Sequence, residues 1–78
     1  MFKFWNYRII RHPASHGLLE HYAVHEVHYD ELDLPVAVSE DPIRLVADSP
    51  DDLVADLKLM QEAASKPTLD YVLFCKQG

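Results

Sequence analysis

The chain has 78 residues, of which 49% are hydrophobic, and it carries a formal net charge of −6 at pH 7. This length predicts a single small domain, residues 1–78, near the lower size limit for folding without cross-links. One cysteine excludes an internal disulfide, and the excess of acids disfavours nucleic-acid binding because phosphates repel them. No apolar run reaches the roughly 20 residues that cross a bilayer, so we expect no membrane segment and a cytoplasmic location.

The first half of the chain is typical of β-strands. Residues 4–11 are rich in aromatic and β-branched side chains, which predicts a strand. After a loop at 12–17, residues 18–29 predict a second, longer strand, but both of its faces mix apolar and polar residues. Alternation therefore does not decide which face of the second strand meets the core. On the first strand, three apolar side chains share the face that we assign to the core: Trp5, Tyr7 and Ile9.

The middle of the chain predicts shorter β elements. Residues 30–35 form a polar turn, and residues 36–38 and 43–46 are β-prone pieces on either side of Pro42. Because proline is found at sheet edges and breaks, the two pieces are either two strands or one interrupted edge strand.

A capped helix is the strongest local signal in the chain. Ser49 suits the N-cap, because its hydroxyl can accept a hydrogen bond from an orphan amide, and Pro50 suits the first helical position. The two aspartates that follow favour the positive end of the helix dipole. Pro67 ends the helix, because it disfavours helical backbone at the residue before it. One apolar stripe follows at helical spacing: Leu53, Leu57, Met60 and Ala64.

The end of the chain completes the predicted fold. Residues 70–75 return to a β-prone composition and predict a last strand, in which Cys75 is a small buried hydrophobic residue. The order β-β-β-α-β predicts an α+β fold, a three- to four-stranded antiparallel sheet with one amphipathic helix packed on one face. The predicted core takes side chains from the strands and the helix: Trp5, Tyr7, Ile9, Val24, Leu53, Leu57, Met60 and Leu73.

The five histidines lie within one stretch of 17 residues: His12, His16, His21, His25 and His28. A zinc ion needs ligands that converge at about 2.0–2.1 Å, whereas His21 and His25 stand about 13 Å apart on a regular strand. His25 and Glu26 point to opposite faces of a strand, which argues against an acid–base pair. We therefore assign no metal-binding, catalytic or cofactor-binding residue and expect no cofactor. Protonation of all five would change the formal charge from −6 to −1, and a pH-dependent self-association is an alternative hypothesis.

Several segments together resemble a family of short uncharacterised bacterial proteins, over most of the chain. The most specific are His25-Glu26-Val27 and the residues from Lys66-Pro67 to Leu69-Asp70, and this resemblance implies a fold but no activity. The helix pattern from Ser49 to residue 63 is also similar to that of HicB-like antitoxin domains, in which strands precede a capped helix and a further strand follows. This second resemblance implies toxin neutralisation, although the glycine-rich and proline-rich turns of that family are absent here.

Size and exposed surface together favour an interaction protein. A chain this short gains stability from oligomerisation, and a small sheet with one helix leaves a face and an edge uncovered. Leu59 lies outside the predicted apolar stripe and is either an isolated exposed leucine or part of a patch for self-association. We expect a non-enzymatic binding or interaction module that forms a homodimer and has a possible protein partner. Two alternatives are a HicB-like antitoxin that neutralises a small basic toxin, and a small enzyme or ligand-binding protein that uses the histidine-rich strand.

Overall fold

A computed structural model describes residues 3–75 and confirms the α+β fold class. Four strands form one sheet, in the order β3-β2-β1-β4. In chain order the elements are β1 (Phe4–His12), β2 (His21–Tyr29), β3 (Pro35–Val38), α1 (Pro50–Ala64), β4 (Leu69–Asp70) and a 3₁₀ helix (Tyr71–Phe74). The sheet is mixed, because β4 runs parallel to β1 while the other pairs are antiparallel.

The hairpin of β1 and β2 defines the two faces of the sheet. Its register pairs Phe4 with Tyr29 at one end and His12 with His21 at the other. Because directly opposed residues share a face, the even-numbered residues of β1 lie with the odd-numbered residues of β2. We call this the core face, and the opposite face, which carries Trp5 and Tyr7, the helix face.

The core lies on the face of β1 opposite to the one predicted from the sequence. Ile10 and Val27 are fully buried and Tyr29 is almost so, and the ring of Tyr29 stacks on Phe4 at 4.6 Å between centroids. Partly buried side chains from the later elements pack against this cluster: Val38, Leu69, Tyr71 and Phe74. The sequence alone did not distinguish the two faces, because both carry aromatic and aliphatic residues on β1.

Three residues assigned to the core are half-exposed: Trp5, Leu57 and Leu73. The other five predicted core residues are partly buried: Tyr7, Ile9, Val24, Leu53 and Met60. The predicted core was therefore wrong in its centre and partly right at its margin.

The helix forms where its capping signals predict. The Ser49 hydroxyl accepts a hydrogen bond from the Asp52 amide at 3.2 Å, and α1 ends at Ala64, before Pro67. The buried stripe, however, is rotated from the predicted one, because Ala63 is fully buried while Leu57 is 46% exposed. The helix packs against β1, and a small residue at the contact lets two backbones approach closely.

The C-terminal segment corrects the prediction of an antiparallel last strand. Only Leu69–Asp70 pairs with the sheet, beside Ile10 and Arg11 of β1. The Asp70 carboxylate then accepts a hydrogen bond from the Val72 amide at 3.0 Å and begins the 3₁₀ helix. This turn brings the rings of Tyr71 and Phe74 over the core face. Cys75, predicted to be buried, is exposed.

Two other predicted strand boundaries differ from the structure. The second strand starts at His21 rather than at residue 18, because residues 15–18 form a tight turn in which His16 and Gly17 have φ of 48° and 82°. Residues 43–46 form no strand. The Ile43 amide nevertheless donates to the Val24 carbonyl at 2.8 Å, so the chain continues beyond β3 along β2 as an irregular edge.

The position of the core predicts a difference between two substitutions of large aliphatic residues. Ile10→Ala should lower the free energy of unfolding by about 2–5 kcal/mol, because it leaves a cavity in a buried site. Leu57→Ala should cost less than about 1 kcal/mol, because this side chain is half-exposed. Urea denaturation at one fixed protein concentration measures both values. Equal losses would show that the helix stripe containing Leu57 is the true core.

Candidate functional site

A groove lies between the start of β1 and the second half of α1. Its volume is about 400 Å³, and we call it the β1–α1 groove. Trp5 and Leu59 stand on its two sides and are 47% and 41% exposed. The remaining lining residues are mostly polar: Asn6, Tyr7, Glu62 and Lys66. Leu59 is therefore not isolated on the surface of the helix, because it lines one groove together with Trp5 of β1.

The polar residues that line the groove differ in hydrogen bonding, charge and pKa. Asn6 lines the groove, but the register places its side chain on the core face, where the buried Oδ1 makes no hydrogen bond within residues 3–75. Glu62 and Lys66 supply one negative and one positive charge. Burial is the main cause that raises the pKa of Tyr7, and the Asp56 and Glu26 carboxylates add to it. The tyrosine is therefore a neutral hydroxyl at physiological pH.

Three histidines form a cluster at the other end of the hairpin, on the core face. The Nε2 atoms of His12 and His25 are 2.9 Å apart. The ring of His21 stacks on that of His12, with centroids 4.7 Å apart and planes 6° from parallel. The Tyr71 ring lies 4.8 Å from His12. We call His12, His21 and His25 the histidine cluster.

Hydrogen bonds fix the proton of His25. Its Nδ1 lies 3.0 Å from the Ser39 carbonyl oxygen and 3.1 Å from the Ser39 hydroxyl oxygen. A carbonyl can only accept, so Nδ1 carries the hydrogen and donates it. The neutral ring then has its lone pair on Nε2, which accepts from the Nε2–H of His12. The Ser39 hydroxyl donates to the Asp41 carbonyl at 2.7 Å, so its oxygen is free to accept.

The environment of the cluster favours neutral imidazoles. Burial is the main cause that lowers the pKa of His25, with His21 acting in the same direction, while Ser39 and Asp41 oppose the shift. Burial also lowers the pKa of His12, and the neighbouring His25 and His21 add to it. Two positive rings at 2.9 Å would repel each other and would leave one N–H without an acceptor.

The way in which the hairpin assembles this cluster is not visible in the sequence. His21 and His25 do lie on one face of β2, and Glu26 points to the other face as predicted. The missing member was His12, which reaches His25 from the neighbouring strand. The proximity of His12 and His25 can be recognised only once the register of the two strands is known. In that register the pair Ile10 and Ala23 lies between the two histidines. The small side chain of Ala23 leaves room for the rings to lean together.

A second exposed surface lies at β3, the edge of the sheet opposite β4. Three apolar side chains on β3 and the turn before it are exposed: Leu32, Leu34 and Val36. The turn is held by the Asp30 carboxylate, which accepts from the amides of Leu32 and Leu34. Acidic residues flank this edge on both sides: Asp30, Glu31, Asp33, Glu40 and Asp41.

Comparisons with known proteins give no relative from which to transfer a function. No family model, curated protein or solved structure matches the chain. Within residues 3–75, no helix is long and apolar enough to cross a membrane. No set of three or more His, Cys, Asp or Glu side chains in that range is arranged to hold a metal ion.

The lowered histidine pKa values predict a loss of stability in mild acid. A histidine whose pKa is lower in the folded chain than the unfolded value of about 6.5 binds its proton more readily when unfolded. The free energy of unfolding therefore has its full value above about pH 6.5 and decreases below it. As long as His25 stays neutral in the folded chain, its contribution to this decrease is up to about 1.4 kcal/mol per pH unit. Urea denaturation at about pH 7.5 and about pH 5.5 measures this loss.

The matched variants for this measurement are His25→Gln, which removes the titrating ring, and His16→Asn, which removes an exposed one. Asparagine tolerates the left-handed backbone of residue 16. We expect His25→Gln to flatten the pH dependence of the unfolding free energy and His16→Asn to leave it intact. An unchanged slope in His25→Gln would contradict this assignment.

Proposed function

We propose that this chain is a non-enzymatic interaction module that forms a homodimer through the β1–α1 groove. The observation that supports it is the juxtaposition of two large, half-exposed apolar side chains, Trp5 and Leu59, on either side of one groove. Aromatic residues at the centre of an apolar patch are the usual anchors of protein interfaces. The single cysteine without a partner in the chain fits a reducing, cytoplasmic location, which is part of the same proposal.

The total exposed area supports a second copy as the partner. The folded chain exposes 5901 Å², whereas a compact monomer of 9.0 kDa exposes about 4,900 Å² by the size scaling of globular proteins. The excess of about 1,000 Å² is close to the roughly 800 Å² per partner that a standard interface buries. A dimer would therefore bring the exposed area per chain near the value for a compact protein.

The charges around the groove favour self-pairing there and not elsewhere. Glu62 and Lys66 lie one helical turn apart on α1 and the segment after it, so a two-fold axis through the groove would place the acid of one copy near the base of the other. The acidic edge at β3 would meet an equally acidic edge in a symmetric pair, which costs free energy. Self-association at the groove is therefore favoured over self-association at β3.

The proposal predicts that a charge at Leu59 prevents dimer formation. Leu59→Glu should raise the dimer dissociation constant at least about tenfold, because it buries an unpaired carboxylate in the interface. Leu19→Glu is the matched control, since Leu19 is 84% exposed and lies in the connection between β1 and β2. Light scattering over a concentration series at about pH 7.5 measures the solution mass of each variant. A monomer at every wild-type concentration, or equal weakening by both variants, would contradict the proposal.

The acidic edge at β3 favours a second candidate function, the binding of a basic protein by strand addition. Three exposed apolar side chains alternate along this edge and the turn before it, with three acids in the turn and two beyond the end of β3. A partner strand with alternating apolar and basic residues would match both features. Such a partner has the chemistry of the small basic toxin expected for an antitoxin-like protein.

The second candidate is tested with two labelled peptides, one alternating lysine and valine and one alternating glutamate and valine. Fluorescence anisotropy should detect only the basic peptide, with weaker binding at high salt because exposed charges are screened. Replacing Glu31 and Glu40 together by lysine should weaken binding at least about tenfold, as expected when attraction becomes repulsion. Asp48→Lys, on the loop before α1, is the control. Binding that ignores peptide charge would exclude this function.

A further inference from the structure

The β1–α1 groove runs along an edge of the sheet. Successive residues of a strand point to opposite faces, yet Trp5, Asn6 and Tyr7 line the groove together. What these three residues share is the edge of β1 that faces away from β2. Taking the homodimer proposed above as given, we propose that the second copy adds its own β1 to this edge, antiparallel and about a two-fold axis at Asn6.

The pairing of β2 with its neighbours shows which backbone groups of β1 point outward. The Glu26 carbonyl accepts from the Ser39 amide on the β3 side of β2, so the even-numbered residues of β2 direct their backbone groups away from β1. The odd-numbered residues of β2 therefore bond to β1, and they oppose the even-numbered residues of β1. The N–H and C=O groups of Trp5 and Tyr7 consequently point to the other edge of β1.

This edge of β1 is open beside Trp5 and Tyr7. The neighbour of β1 on that side is β4, which pairs only with Ile10 and Arg11. Within residues 3–75, no strand lies beside the first half of β1 on that side. An open edge presents unpaired donors and acceptors to which another extended segment can bind, and the groove provides room for it.

The direction of these groups selects the register of the pair. Two-fold antiparallel pairing must place outward-pointing residues opposite each other. An axis at Asn6 does so, because it places Trp5 opposite Tyr7 of the second copy, and each such pair exchanges two hydrogen bonds. An axis at Trp5 would oppose Tyr7 to the residue before β1, whose amide already bonds to β2. An axis further along β1 would meet the segment that leads to β4, where the Arg8 guanidinium donates to the Pro67 carbonyl at 2.6 Å.

The side chains of β1 are compatible with this register. Trp5 would lie opposite Tyr7 of the second copy on the helix face, and Arg8 would lie opposite Phe4 on the core face. Asn6 would lie opposite its own counterpart at the axis. No two like charges therefore oppose each other across the pair, in contrast to a symmetric pairing at the acidic edge of β3.

The joined sheet would also bury the apolar side chains of the groove. Leu59 stands across the groove from Trp5, so in each copy it would cover the β1 strand of the other copy. Backbone pairing along β1 and the apolar contact of Trp5 with Leu59 are then two parts of one interface.

The axis at Asn6 is tested by disulfide cross-linking. Opposed residues of a non-hydrogen-bonded pair have Cα atoms about 4.5 Å apart, which a disulfide can span. In a Cys75→Ser background and a glutathione redox buffer, Asn6→Cys should cross-link two chains at least about tenfold faster than Phe4→Cys. Phe4→Cys is the matched control, because it lies on the same face of β1 but would stand about 13 Å along the sheet from its counterpart.

Amide hydrogen exchange tests the same pairing in the unmodified chain. The amides of Trp5 and Tyr7 should exchange at least about tenfold more slowly above the dimer dissociation constant than below it, because they become hydrogen-bonded only in the dimer. The amide of Leu19, in the connection between β1 and β2, should exchange at the same rate at both concentrations.

The outcomes separate the strand pairing from the homodimer itself. A chain that is monomeric by light scattering at every concentration would contradict the homodimer and the pairing together. A dimer that Leu59→Glu weakens, but in which the amides of Trp5 and Tyr7 exchange as fast as in the monomer, would keep the homodimer and overturn the pairing. Equal cross-linking rates for Asn6→Cys and Phe4→Cys would also overturn the pairing about Asn6.

Discussion

The register of the β1–β2 hairpin is the constraint on which the other parts of this fold depend. It places Ile10, Val27 and Tyr29 on one face, where the 3₁₀ helix and the end of β3 can cover them. A slip of one residue would move every side chain of one strand to the opposite face. β1 also serves as the support for later elements, because β4 pairs with one end of it and α1 packs against it. The core and the histidine cluster therefore follow from one pairing, and the groove follows from the packing of α1 on the same strand.

The parts of the fold that the sequence predicted are those with local causes. Ser49 accepts from the Asp52 amide and Pro67 lies just beyond the helix, so both ends of α1 follow from neighbouring residues. The core face depends instead on contacts between distant segments, and β1 presents apolar side chains on both sides. The C-terminal turn had a local signal that β-propensity concealed, because an aspartate can cap a turn two residues ahead, as Asp70 does.

The same division explains the candidate sites. Leu59 was recognisable as an apolar residue outside the predicted stripe, but its partner Trp5 was not, because the two are joined only by the packing of α1 on β1. Along a single strand, His21 and His25 are too far apart to suggest a contact. The contact that matters crosses the hairpin, from His12 to His25, and depends on the register and on the small side chain of Ala23 between them.

The groove and the histidine cluster lie on opposite faces and near opposite ends of β1, and this separation bears on how they act together. Trp5 and His12 are seven residues apart along the strand, which is about 23 Å at 3.3 Å per residue. The Debye length at physiological ionic strength is about 8 Å, so the charge that protonation would place on the histidine cluster is largely screened at the groove. Any coupling between the two sites must pass through the strand itself. β1 is paired along its whole length with β2, and no two-state element links the two sites in this structure, so association at the groove and protonation of the histidine cluster are expected to be independent.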